Sequence, residues 1–367
     1  MQLDAAGLRR ARVRSQLLSG PRRRGVEDVV RTVVGVQAQD RAAAARAIEV
    51  RGAPVRDLPA AWGEGGPLLV TWSLRGTRHL HHVDDVRWML ALTGPVFAAG
   101  TPARNRQLGI AGEAGDRAVR ALRVALRRRG PLTRPQVREL LARRGLDPSG
   151  QAPIHVIRRA AMQGVLCVVP TPEGDETYAP LDDRAPPARG RPDLEAALAE
   201  LARRYLHGYG PASPQDLVAW SGLPRRSADA AWASIAGELT EVAIPGGRTW
   251  ILSADARSAR ATIARRTAVR LLLPAFDTLM LGYADRAAFV PAAHARKVNA
   301  GGGMIRPTVL TDEGIAGTWV LRRERDGTPR VEVHPFGRLR SAVRTDLERE
   351  VRAVERAARR PPPSLAG

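Results

Sequence analysis

The first stretch whose residue types and spacing suit chemistry is Val33-Val34-Gly35-Val36-Gln37-Ala38-Gln39-Asp40. Two amide side chains flank one small residue just after an apolar helix end. In a helix, positions i and i+2 lie about 200° apart and cannot serve one site. Gly35 is able to end the helix, and in an extended segment i and i+2 share a face. Gln37 and Gln39 would then project into one cleft. Each offers an oxygen that orients water and an NH₂ that holds a substrate. The plainer alternative makes both of them surface polar residues at a helix end.

A second candidate is the run Arg75-Gly76-Thr77-Arg78-His79-Leu80-His81-His82. If 77–81 is a strand, Thr77, His79 and His81 share one face by its two-residue period. His79 and His81 have the arrangement of two zinc ligands, but the spacing supplies no third, so no metal is expected. These histidines otherwise face nucleic acid or pack against the next helix. Gly76 would let backbone approach a polyanion closely at the Arg75-Gly76 corner, with Arg75 on a phosphate and Thr77 or His79 bordering the substrate. The adjacent pairs Asp84-Asp85 and Asp182-Asp183 point apart and read as solvated surface.

The chain has one lysine, Lys297, in the loop Arg296-Lys297-Val298-Asn299 before Gly301-Gly302-Gly303. It reads as a solvated, nucleic-acid-facing side chain. Only Lys297 and the N-terminal amine could form a Schiff base. The single cysteine, Cys167, sits in the apolar run 165–169 and reads as a core thiol. It rules out an internal disulfide framework and any multi-cysteine zinc site. No phosphate loop of the Walker type and no dinucleotide fingerprint is present, so no cofactor is expected.

These residues must be positioned by a chain of 367 residues, long enough for two or three domains. Hydrophobic content is 44% and aromatic content 4%, so the core is aliphatic. Lys plus Arg is 58 against 37 Asp plus Glu, a net charge of +21. That excess favours a polyanionic partner, nucleic acid above all. A GC-rich genome explains arginine over lysine, but not basic over acidic. No apolar stretch nears the ~20 residues of a membrane span, and Met1-Gln2-Leu3-Asp4 begins no signal peptide. A cytoplasmic monomer that meets nucleic acid and no membrane is the expectation.

Two stretches of the chain are similar. One runs 125–135 through Gly130-Pro131, and the other 203–214 through Gly210-Pro211. Each has a basic helix end, a Gly-Pro turn, and a Thr or Ser suited to cap the next helix. Each continues with a second helix, 154–162 or 227–235, and then two short strands. The first strand pair is 164–169 and 177–179 around the turn 171–175. The second is 239–244 and 249–252 around Pro245-Gly246-Gly247. Three helices and a hairpin make a winged helix-turn-helix. The first ~95 residues read as a third, degenerate copy, with helices 5–18, 26–34 and 41–50 and strands 68–74 and 77–81. Residues 182–192, rich in Pro and Arg, read as a linker. Short β-like runs at 269–273, 308–310, 317–322 and 330–334 suggest a small β-barrel or sheet. An amphipathic helix, 341–358, and a Pro-rich tail follow. The expected fold is α+β and helix-rich: winged helices at 1–110, 111–185 and 190–258, then a small β-barrel-like domain with a terminal helix at 259–367.

Gln37-Ala38-Gln39 after the first helices, the strand pair Thr71 to His79, and Leu272-Leu273-Pro274-Ala275-Phe276-Asp277-Thr278-Leu279-Met280-Leu281-Gly282-Tyr283 with Asp285-Arg286 together resemble the winged-helix DNA glycosylases. The resemblance spans nearly the whole chain. Gln-x-Gln is similar to the AlkZ-type branch, which includes an azinomycin self-resistance enzyme, whereas the YcaQ-type branch has Gln-x-Asp. The resemblance implies three tandem winged helices in a DNA-cradling arrangement and a C-terminal β-domain. It implies hydrolysis of the N-glycosidic bond of N7-alkylated purines in double-stranded DNA, including the unhooking of interstrand crosslinks. It makes Gln37 and Gln39 catalytic and places the strand pair near them. With no activated amine evident, the enzyme reads as monofunctional, without lyase activity. The rival readings are a winged-helix transcription regulator, which a palindromic footprint would favour, and a protein that binds and shields alkylated DNA without catalysis.

Overall fold

The computed structural model describes residues 1–359 apart from 21–23, 99, 101, 148, 172–174, 188, 189, 191, 265 and 266. Arg22 and Arg23 of the basic run 22–24, the turn residues 172–174, part of the 182–192 linker and the tail beyond 359 lie outside the described residues. The chain forms two compact units. One gathers Met1–Leu58, Ala199–Trp220 and residues 224–359; the other holds Pro59–Leu198 and Ser221–Leu223.

The first unit opens with helices α1 (Ala5–Ser15) and α2 (Val26–Thr32), the two-residue strand β1 (Val36–Gln37) and helix α3 (Arg41–Glu49). Asp4 caps α1 by accepting from the Gly7 N–H at 2.6 Å. The periodicity predicts α1 to Leu18, but it stops at Ser15. Leu17 turns to φ +59°, and the Leu18 N–H bonds back to the Val13 carbonyl. That is a Schellman closure with leucine where glycine is usual.

The second unit begins with α4 (Leu58–Trp62), the hairpin β2 (Leu68–Trp72) and β3 (Arg78–His82), and α5 (Val83–Phe97). Next come α6 (Pro102–Gln107), α7 (Glu113–Arg129), β4 (Leu132–Thr133), α8 (Arg134–Ala142) and α9 (Ala152–Met162). Then follow β5 (Leu166–Pro170), β6 (Glu176–Pro180) and α10 (Leu181–Arg184). Its strands run antiparallel in the order β3-β2-β5-β6-β4. Leu69, Val86, Leu90, Cys167, Ala179 and Leu181 form its core. Cys167 is buried there, and desolvation pushes its thiol up to about 12, which makes it inert. Two expectations change here. Asp182 and Asp183 lie on the short helix α10 rather than in a linker, because Leu181 is drawn into the core. Asp85 sits in the first turn of α5, buried, and accepts from Trp88 Nε1, whereas Asp84 is exposed.

The chain continues through α11 (Leu194–Tyr209), α12 (Pro214–Ser221) and α13 (Arg225–Ser234), then the hairpin β7 (Leu239–Ile244) and β8 (Gly247–Leu252). From there it passes through α14 (Ala256–Ala264), β9 (Arg270–Leu273), α15 (Thr278–Leu281), α16 (Ala295–Val298), and the small hairpin β10 (Asn299–Gly301) and β11 (Met304–Ile305). The last elements are β12 (Thr308–Thr311), β13 (Gly314–Arg323), β14 (Pro329–Pro335) and α17 (Ser341–Arg359). Four strands make an open antiparallel sheet, β14-β13-β12-β9, in place of a barrel. Leu347 and Val354 of α17 close its apolar face over Leu272, Val309 and Trp319. A second cluster joins Leu3 and Ala11 of the N-terminal segment to Val242 and Ile251 of the β7–β8 hairpin.

Candidate active site

Helix α2 ends in a tight Schellman closure. The Gly35 N–H reaches the Val30 carbonyl at 3.0 Å and the Val34 N–H reaches Arg31 at 3.2 Å. The left-handed residue is Val34, at φ +58°. Gly35, expected to end the helix, follows at φ +122°. A β-branched residue in that region is strained and persists only where its surroundings over-determine it. Here Val33 and Val34 are buried, at 0% and 2% exposure. The chain then runs extended through Gln37, and Asp40 starts α3 by accepting from the Ala43 N–H at 3.0 Å. The segment 36–39 is thus held between a helix end and a helix cap.

On it the two amides meet. Gln37 Nε2 donates to Gln39 Oε1 at 2.8 Å. Gln37 is buried while Gln39 is exposed. The bond uses one lone pair of Gln39 Oε1 and leaves a second for water. Ala38 between them is buried.

Arg75, Thr77 and His79 belong to the second unit. The register Thr71↔His79, Leu69↔His81 pairs β2 with β3, and Ser73 to Thr77 form the corner. Arg75 and Gly76 are both left-handed, at φ +52° and +66°. Gly76 is buried, and the space that a Cβ would need is filled by Arg158, whose Nε donates to the Gly76 carbonyl at 3.1 Å. Its glycine therefore serves internal packing, where close approach of a polyanion was expected. Thr77 Oγ1 donates to the Leu74 carbonyl at 3.1 Å.

His79 is buried, with Nδ1 donating to the Thr77 carbonyl at 3.1 Å and Nε2 facing Arg75 Nη2 at 3.4 Å. Burial, then the Arg75 charge and then His81 hold it well below the ordinary histidine value, so it is neutral. His81 Nε2 meets Ser73 Oγ at 2.7 Å. Both histidine rings thus have polar partners within the fold, and among the described residues no group of three His, Cys, Asp or Glu side chains is placed to hold a metal.

Lys297 lies on helix α16, where a loop was expected. It is exposed, with its ammonium 5.5 Å from the centre of the Phe336 ring. The structure therefore brings Gln37 to Gln39 and Arg75 to His79, while Lys297 lies on α16 against Phe336.

A buried polar cluster in the first unit was missed by the sequence reading. Arg51, fully buried, forms a two-pronged pair with Asp277 at 2.9 Å on both sides. Its Nη2 also reaches Gln16 Oε1 at 3.1 Å and Thr278 Oγ1 at 2.6 Å. The signal was present: Arg51 continues the apolar stripe Ala44, Ala47, Ile48 of α3, where a charge has to find a partner.

The family described as DNA glycosylase AlkZ-like matches the chain over residues 30–357. This chain belongs to the AlkZ-like DNA glycosylase family. Among solved structures it is similar to the Streptomyces sahachiroi DNA glycosylase AlkZ, at a TM-score of 0.80 and 24% identity, over 98% of this chain and 97% of that one. At that identity the likeness concerns the fold. Comparison with curated proteins gives no match. Membership in the AlkZ-like DNA glycosylase family makes DNA the substrate. Among the described residues no helix is long and apolar enough to cross a membrane.

Proposed function

We propose that this AlkZ-like protein is a monofunctional glycosylase that hydrolyses the N-glycosidic bond of N7-alkylated purines in double-stranded DNA, crosslinked lesions included. The observation that carries the reading is the amide pair Gln37–Gln39, hydrogen-bonded at 2.8 Å on an extended segment fixed at both ends. An N7-alkylpurine carries positive charge, so the base leaves without a strong general acid. The protein must hold a water near the anomeric carbon and stabilise an oxocarbenium-like sugar. Two neutral amides suit this chemistry, because Gln39 Oε1 orients the water and Gln37 Nε2 fixes Gln39 in place. The rate gain then comes from positioning, and an uncharged base gains little.

The successions α1-α2-α3 with β2–β3, α7-α8-α9 with β5–β6, and α11-α12-α13 with β7–β8 support three winged helices. A crosslinked base still joins two strands and cannot be flipped into a tight pocket, so the lesion is taken to be hydrolysed in place on the duplex. Arg75 is assigned to a backbone phosphate, Thr77 and His79 to the border of the lesion, and Lys297 to DNA contact. The protein acts as a cytoplasmic monomer, in repair or in self-resistance to a genotoxic alkylating natural product of the azinomycin kind. With Lys297 set against Phe336 as the one lysine, the product is an abasic site with the strand intact. The test is incubation with N7-methylguanine duplex and with a crosslinked duplex. Free base and unhooked strands are expected. Tight binding with no base released in a single turnover would leave only a DNA-binding role.

A further inference from the structure

The carbonyl of Val33 lies beyond the last hydrogen bond of α2. A helix end leaves such carbonyls without a partner in the helix. Val33 is fully buried, so water cannot serve it. Tyr209, at the end of α11, does: its hydroxyl donates to the Val33 carbonyl at 2.8 Å. Tyr209 is itself fully buried. Its ring stacks on Tyr205 at 4.9 Å and lies against Trp220 at 5.3 Å, so the hydroxyl has a fixed aim. Gly208 brings α11 so close to the same turn that a Cβ would meet the Thr32 carbonyl at 2.1 Å. The residue after Val33 is the left-handed Val34, and three residues further on stands Gln37.

We infer that Tyr209 is a positioning residue for excision: its hydrogen bond to Val33 holds the strained turn at Val34 and so sets where the Gln37–Gln39 amide pair stands. This rests on the assignment of that pair to catalysis. Strain at Val34 pushes the turn to relax toward an ordinary helix end, which would rotate the extended segment and separate the two amides. Tyr209 and Gly208 hold the peptide units on the N-terminal side of that strain, and the Asp40 cap holds the C-terminal side. A displacement of about 1 Å at a positioned group costs on the order of 10²-fold in rate.

Tyr209→Phe keeps the ring and removes only the hydroxyl. Tyr205→Phe is the matched control, since its hydroxyl donates at 2.7 Å to the Gly282 carbonyl within the same buried ring cluster. Single-turnover excision of 7-methylguanine at saturating protein is expected to fall by about 10–100-fold in Tyr209→Phe. DNA affinity should be unchanged. Tyr205→Phe should lose a similar amount of thermal stability and keep its rate. In the background of Gln37→Ala with Gln39→Ala, Tyr209→Phe should add no further loss, because it acts through that pair. A wild-type rate in Tyr209→Phe while Gln37→Ala is inactive would overturn the role of Tyr209 alone. So would equal rate losses in Tyr209→Phe and Tyr205→Phe, or a further loss in the glutamine-free background. Wild-type excision by Gln37→Ala with Gln39→Ala would instead overturn the assignment of the glutamines, and this inference with it.

Discussion

Gln37→Ala and Gln39→Ala each remove one half of a bonded amide pair from a segment whose backbone is anchored elsewhere. Each is expected to lower single-turnover excision by about 10²–10³, the usual cost of a positioning donor or acceptor. Melting temperature and DNA affinity should hold. Gln39→Asp should retain part of the activity on simple lesions with a changed lesion preference. Both alanine variants releasing 7-methylguanine at the wild-type rate would remove the glutamines from the mechanism. His79 makes a pH prediction. Its folded-state value is depressed, chiefly by burial, so above the ordinary value of 6.5 neither the folded nor the unfolded chain protonates it. As pH falls below 6.5 the unfolded chain takes a proton that the folded chain refuses. Stability then drops by about 1.4 kcal/mol per pH unit until the folded value is reached. Denaturant titrations at pH 7.5, 6 and 5 should show a steeper loss in the wild type than in His79→Gln. Parallel curves would mean that the ring is solvated. In Asp277→Ala the Arg51 guanidinium loses its two-pronged partner in a site without solvent. A cost of about 3–5 kcal/mol is expected, read as a shift in denaturation midpoint.

At the scale of elements, periodicity was a good guide wherever local sterics decide. The expected strand 239–244 matches β7 at both ends, and helices 154–162 and 341–358 fall within two residues of α9 and α17. Period 3.6 and period 2 record which face is buried, and α17 shows it, setting Leu347 and Val354 on the sheet. What the sequence did not reveal depends on distant contacts. Nothing local says that Leu17 and Val34 turn left-handed, since propensity argues against both residues there. Tertiary packing overrules it. Likewise the stripe Ala44, Ala47, Ile48 marks Arg51 as buried, but nothing local names its partner Asp277, 226 residues away. The Gln-x-Gln spacing suggested a shared face, but not that one amide would hold the other. Asp40 offers an element-scale test because it caps α3 directly after Gln39. Asp40→Ala should cost about 1 kcal/mol, and Asp40→Asn should recover most of it. Chemical denaturation with all three proteins checks this; a stability unchanged by alanine would make the cap dispensable.

For the molecule as a whole, a net charge of +21 carried by 58 basic residues makes DNA binding an ionic process. If about six phosphates are neutralised, affinity should fall by about 10³ between 50 and 200 mM salt, with little dependence on sequence. Arg75→Ala should weaken binding and reduce the salt slope by about one. Fluorescence anisotropy across that salt range checks both, and a nearly flat line would contradict phosphate contact as the source of affinity. The unit that carries Gln37 is closed by chain made much later: the hydroxyl on the Val33 carbonyl lies 176 residues downstream, and Thr278, which meets Gln16, lies 262 downstream. Ribosomes add about 5–20 residues per second. The glutamine segment therefore emerges on the order of ten to thirty seconds before the tyrosine that shapes its turn. A chain stopped before Tyr209 therefore holds the two glutamines without the hydroxyl that bonds the Val33 carbonyl, and on the proposed mechanism it is expected to be inactive.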